Sequence, residues 1–106
     1  MATSAQYAAF VCEQLQHFGS IRSRKMFGEY MVYCDDRPIL LVCDDVVFVK
    51  KWPQLEPLMA DAECGLPYEG TKEHYILDIE NAALLDAVIP LLCELTPLPK
   101  KQKKTT

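Results

Sequence analysis

Apolar residues recur every three or four positions at both ends of the chain and crowd into short unbroken runs between them. Near the N-terminus, Tyr7, Ala8, Val11, Leu15 and Phe18 fall on one side of a helical period, opposite Glu13, Gln14 and Gln16. This spacing predicts an amphipathic helix over 4–18, capped by Thr3 or Ser4 and stopped by a left-handed Gly19. Segment 22–34 then alternates and reads as one long strand, or as two joined through a bulge at Gly28, where a lone glycine interrupts strand-forming residues. Asp35-Asp36-Arg37-Pro38 is a turn. Ile39–Cys43 and Val46–Lys50 are β-branched and aliphatic runs joined by Asp44-Asp45, a two-residue hairpin loop without the preferred glycine. Pro53 suits the first position of a short helix running to about Asp61. Residues 62–73 read as loop and His74–Ile79 as a further strand. Asn81 caps a last helix striped by Leu85, Val88, Leu92 and Leu95. Pro90 lies inside that helix and predicts a bend or restart there.

Helix, three-strand meander, short helix, strand, helix: this order predicts an α+β fold of two layers on an antiparallel sheet. A sheet covered on one side shows apolar and polar residues in alternation. These strands are oily on both sides. Ile39, Leu41 and Cys43 oppose Leu40 and Val42, and Val46 and Phe48 oppose Val47 and Val49. Burial of each such side chain is worth roughly 1.5–3 kcal/mol, so a wholly wet second face is unfavourable. Either the terminal helices divide between the faces or a second subunit covers one, and the pattern favours a homodimer.

Composition narrows the class. Half of the 106 residues are hydrophobic and a quarter charged, which fits one globular domain over 1–96. The net charge of −4 conceals an asymmetry. Residues 1–99 hold seven basic against fifteen acidic side chains, and Lys100, Lys101, Lys103 and Lys104 follow. Such a body repels phosphate backbones, so nucleic-acid contact is expected only weakly and through the tail, 97–106, which reads as disordered. Five cysteines without a C-x-x-C pair, mostly within apolar runs, suit reduced buried thiols and a cytoplasmic setting better than a disulfide framework. No apolar run has the length of a membrane span.

Candidate chemistry is sparse. No catalytic constellation, cofactor motif or metal-ligand spacing stands out. The aspartate pairs sit where turns want them for backbone reasons. Arg22, Arg24 and Lys25 form the basic patch of the folded body, suited to an acidic partner or to shielding a strand edge. Trp52 and His74 mark the sheet end where a small-ligand or enzyme pocket would lie, the alternative reading.

The run Ser23-Arg24-Lys25-Met26-Phe27-Gly28-Glu29-Tyr30-Met31-Val32-Tyr33 resembles the N-terminal domain of the TfoX/Sxy family of bacterial competence regulators. The acidic turn at Asp35-Asp36, the strands around Asp44-Asp45, the later strand at Tyr75 and the closing helix match in order, over about 4–95. Ile39-Leu40, Lys51-Trp52-Pro53 and Ile79 depart from what is frequent in the family. The resemblance implies a stand-alone, non-enzymatic protein-interaction domain linked to transcriptional regulation of competence genes, with a transcription activator as partner. It also implies a secretion-chaperone-like, dimeric fold. Arg22, Arg24, Lys25, Phe27, Gly28 and Tyr30 are the expected partner-binding positions.

Overall fold

The computed structural model describes residues 5–26, 29–67 and 69–98. In chain order these form helix α1 (Ala5–Leu15) with a 3₁₀ turn Gln16–Phe18, then strands β1 (Ile21–Met26), β2 (Glu29–Cys34), β3 (Arg37–Cys43) and β4 (Val46–Val49). A 3₁₀ turn Pro53–Leu55 leads into the one-turn helix α2 (Glu56–Met59), followed by β5 (Cys64–Gly65), β6 (His74–Ile76) and α3 (Ala82–Leu95). The strands make one antiparallel sheet in the order β1-β2-β3-β4-β6-β5. The fold is therefore α+β, as the pattern predicted, and no helix among the described residues is long and apolar enough to cross a membrane.

Several details differ from expectation: a short strand, β5, lies within 62–73, which read as loop, and β6 ends at Ile76, short of Ile79. Segment 22–34 is a hairpin rather than a strand continued in line: β1 and β2 lie side by side, with Met26 facing Glu29. Phe27 and Gly28, and with them the bulge expected at Gly28, lie outside the described residues, as do Thr3, Ser4 and the lysine tail. Gly19 does not take the left-handed stop. Its backbone is nearly extended (φ 159°, ψ −160°), and the reason for glycine is space. A Cβ there would lie 3.0 Å from Cys34 Sγ and 3.1 Å from an Asp35 carboxylate oxygen.

Aspartate supplies the turns. Asp35, Asp36, Asp44 and Asp45 all have φ between 51° and 69°, so both two-residue loops are of the primed type whose twist suits a hairpin. Aspartate tolerates this left-handed region, which explains how both loops form without glycine. The Asp35 carboxylate also accepts from Ser20 N at 2.9 Å.

The core lies on one face. Ala8, Val11 and Leu15 of α1 and Leu85, Val88, Ile89 and Leu92 of α3 are buried. All but Ala8 form one cluster with Val32, Cys34, Leu40, Val42, Val47 and Val49 from the strands. His17 Nε2 stands 3.9 Å from the Asp86 carboxylate, so the ends of the two helices are neighbours. Both terminal helices thus cover the same face, and they do not divide between the two. Asn81 caps α3 by accepting from Leu84 N at 3.1 Å, and α3 runs on through Pro90 without a restart.

Candidate interaction surface

The face away from the helices is set by strand parity. Arg24 of β1 lies opposite Met31, Met31 opposite Leu41, Leu41 opposite Phe48, and Phe48 opposite Ile76. Directly opposed residues share a face, so these five form a row across five strands. Arg22 and Tyr33 form the next pair along, and the guanidinium sits 4.4 Å from the Tyr33 ring centre. Arg22 also reaches the Asp36 carboxylate at 3.3 Å, although both side chains are more than half exposed. Such a pair contributes little to stability.

Part of this second face is covered by the chain itself. Cys43 donates its thiol hydrogen to Pro67 O at 2.8 Å and approaches Glu29 Oε2 at 3.3 Å. A Cβ on Gly65 would touch Phe48 and Ile76 at 3.4 Å, and His74 meets the Phe48 ring edge-on at 6.5 Å. Cys43 and Phe48 are therefore buried under the β5 segment and Pro67. Met31, Tyr33, Leu41 and Ile76 remain half-buried. A shift in register between Val32 and Tyr33 pairs Tyr33 with Pro38 and Val32 with Leu40, which leaves Ile39 as the extra residue of a bulge. Ile39 and Leu40 are consecutive and both buried for that reason.

Two hollows adjoin, one at the strand ends near Trp52 and one on the helix-free face itself. One of about 460 Å³ is lined by Pro38, Ile39, Lys50, Trp52, Thr96, Pro97 and Leu98. Its neighbour, about 280 Å³, includes Met31, Leu41, Phe48, Lys50 and His74. Lys50 stands between them with its ammonium 4.5 Å from the Trp52 ring centre. Trp52 and His74 thus lie in adjacent hollows and not in one pocket. Lys51 donates to Glu73 at 2.6 Å, which raises its pKa.

Two buried thiols, Cys34 and Cys43, are held protonated. Burial, then the neighbouring Cys93 thiol and the Asp35 charge, push Cys34 up to about 12. Burial, then the hydrogen bond and charge of Glu29, take Cys43 to about 11. All five cysteines are free, and Cys64 is exposed whereas the sequence pattern favoured burial. Among the described residues no group of three or more His, Cys, Asp or Glu side chains is placed to hold a metal ion.

The expected partner-binding positions separate. Arg22 and Arg24 project with Tyr33 and Met31 on the helix-free face. Lys25 and Tyr30 are cross-strand partners on the other, where Tyr30 packs against the core. Phe27 and Gly28 fall outside the described residues. The row Met31-Leu41-Phe48-Ile76 and Lys50 were not singled out from sequence, although the period of two already placed Met31 with Tyr33 and Leu41 with Cys43.

Compared with known proteins, residues 13–86 match the model of the TfoX N-terminal domain family. The chain is also 32% identical, over 108 aligned residues, to an uncharacterized 12.7 kDa protein in the trpE 5′ region of Spirochaeta aurantia. That alignment covers 100% of this chain and 94% of the relative.

Proposed function

Since this chain belongs to the TfoX N-terminal domain family, we propose that it is a protein-interaction domain without catalysis of its own, serving transcriptional regulation of competence genes beside a transcription activator. One observation carries the reading. The helix-free face presents the half-buried apolar side chains Met31, Tyr33, Leu41 and Ile76, ended by Arg24 and flanked by Arg22 and Lys50. Such an apolar centre with a polar, charged rim is the common anatomy of a protein interface. The test is Arg22→Glu with Arg24→Glu in the native host, read by partner capture and by a competence-gene reporter. Loss of a specific partner and of reporter response, with thermal stability unchanged, is expected. Unchanged partners would refute the reading.

A homodimer in the cytoplasm belongs to the same proposal, with the second copy laid on the helix-free face. The cover provided by the β5 segment and Pro67 reduces the oily area, so the dimer rests on Met31, Tyr33, Leu41 and Ile76. Light scattering of the wild type against Leu41→Glu tests it. A dimer that the variant dissolves supports the arrangement, and a wild-type monomer at high concentration removes it.

The hollow at Trp52 favours a second reading, a small-ligand site, because about 460 Å³ lies within the usual range for such pockets. A ligand retained in native mass spectrometry, and lost on Trp52→Ala, would favour it over the interface.

A further inference from the structure

We infer that the outer edge of β1 takes up an extended acidic peptide by strand addition. The peptide's carboxylates would meet Arg22 and Arg24 on the helix-free face. The inference rests on the protein-interaction reading and names the partner's chemistry. Among the described residues β1 is the long open edge of the sheet, six residues against two in β5 at the opposite edge. Residues 22–25 are all exposed.

The register identifies the free backbone groups. Asp35 N donates to Ser20 O at 2.9 Å, in the same register that sets Ile21 opposite Cys34. Hydrogen-bonded pairs alternate along an antiparallel ladder, so the bonded pairs are Arg22 with Tyr33 and Arg24 with Met31. The N–H and C=O groups of Ile21, Ser23 and Lys25 therefore turn outward, away from β2. An added strand can pair with these groups.

Charge selects the occupant. Of the three cations only Arg22 has an ion pair among the described residues, and the rest of residues 1–99 holds four basic against fifteen acidic side chains, so the positive charge is concentrated at this edge and repulsion elsewhere steers an acidic strand to it. An acidic strand finds its complement at this edge. A second copy does not: the symmetric pairing centred on Ser23 sets Arg22 against the partner's Arg24 twice, and like charges directly opposed are unfavourable.

The probe is a ten-residue synthetic peptide alternating glutamate and valine, with a lysine–valine counterpart as control, titrated into the full chain labelled for NMR. The glutamate peptide is expected to slow amide exchange at Ile21, Ser23 and Lys25 selectively. Arg22→Glu with Arg24→Glu should weaken binding by roughly tenfold, and added salt should weaken it too. Ser23→Pro decides between a ladder and a mere charge contact. It removes an outward donor, leaves the bonds to β2 in place and suits an edge strand, so binding should be lost with melting temperature retained. Equal binding of the lysine peptide, or undiminished binding by Ser23→Pro, would overturn the inference. So would edge protection that appears without peptide and rises with protein concentration. The protein-interaction reading is judged separately, by partner capture in the host, and survives such a result if capture still depends on Arg22 and Arg24.

Discussion

Replacing Pro90 by alanine should make this protein more stable. Pro90 is exposed and sits inside the unbroken helix Ala82–Leu95, while its neighbours Ile89 and Leu92 are fully buried. Its ring removes the amide that would bond to Asp86 O and presses on that carbonyl. In a host helix the difference from alanine is about 3 kcal/mol. Here the surrounding turn has adapted to the ring, so only part of the clash is relieved, and the recovered hydrogen bond alone contributes about 1 kcal/mol. The expected gain is therefore about 1–3 kcal/mol. At about 4–8 °C per kcal/mol for a domain near this size, the melting temperature should rise by at least about 4 °C. Urea unfolding followed by circular dichroism measures the midpoint, and an unchanged slope would show that the two end states are unaltered. Asn81→Ala calibrates the helix, because loss of its cap to Leu84 N should cost about 1 kcal/mol. A neutral or destabilised alanine variant would refute the reasoning. It would mean that α3 needs the proline's geometry to seat Ile89 and Leu92 on the sheet.

Three further outcomes follow from the same structure. Cys34 and Cys43 have folded-state pKa values of about 12 and about 11 against an ordinary 9.0. The native state thus keeps its thiol protons where the unfolded chain loses them. Their contribution is whole below pH 9 and is lost as pH rises toward 11–12, by a few kcal/mol in order of magnitude. Urea midpoints from pH 8 to 11 should fall, and the double alanine variant should fall less steeply. Arg37 donates from Nη1 to the carbonyl of buried Thr96 at 2.7 Å, tying the β2–β3 hairpin to the end of α3. Arg37→Ala should cost about 1.5–3 kcal/mol in denaturant titration. Asp36→Gly relieves a left-handed residue at φ 69° and gives up only an exposed pair with Arg22, so a gain of about 0.5 kcal/mol is expected by the same assay.

Helices α1 and α3 were legible because their buried residues repeat at 3.6, and the aspartate loops because left-handed turns leave few residue choices. The hairpin at 21–34 was not, since residues 30–33 continue the strand character of 22–26 and a single glycine reads equally as a bulge. The cover over Cys43 and Phe48 was hidden for another reason. It comes from Gly65 and Pro67, in a stretch without period, and the two-residue β5 is too short to leave a pattern. Two-sided oiliness therefore read as an unmet need for a partner. Part of it is met by this segment and part by the bulge that buries Ile39 and Leu40 together. At the candidate surface, the basic cluster was visible as composition, while its division between two faces and an edge needed the register.

That division carries one more consequence. In a symmetric β1–β1 pairing about Ser23 the only charged contacts directly opposed are two of Arg22 with Arg24, while Lys25 faces Ile21. The same cations that would receive an acidic strand therefore also keep the edge from joining its own copy, a recognised protection for open edges. Arg24→Glu reverses both contacts at once. Each opposed pair changes from repulsive to attractive, worth roughly 0.2–1 kcal/mol in each direction, so the two together favour self-pairing by about 1–4 kcal/mol. Sedimentation should show the single variant associating more tightly than the wild type. Arg22→Glu with Arg24→Glu restores like charges across the pair and should return association to the wild-type level. Adding Ser23→Pro to the single variant should abolish the gain, because the ladder loses its central donor. If Arg24→Glu associates no more than the wild type, β1 does not behave as an available edge, and the outward groups assigned to Ile21, Ser23 and Lys25 are engaged elsewhere.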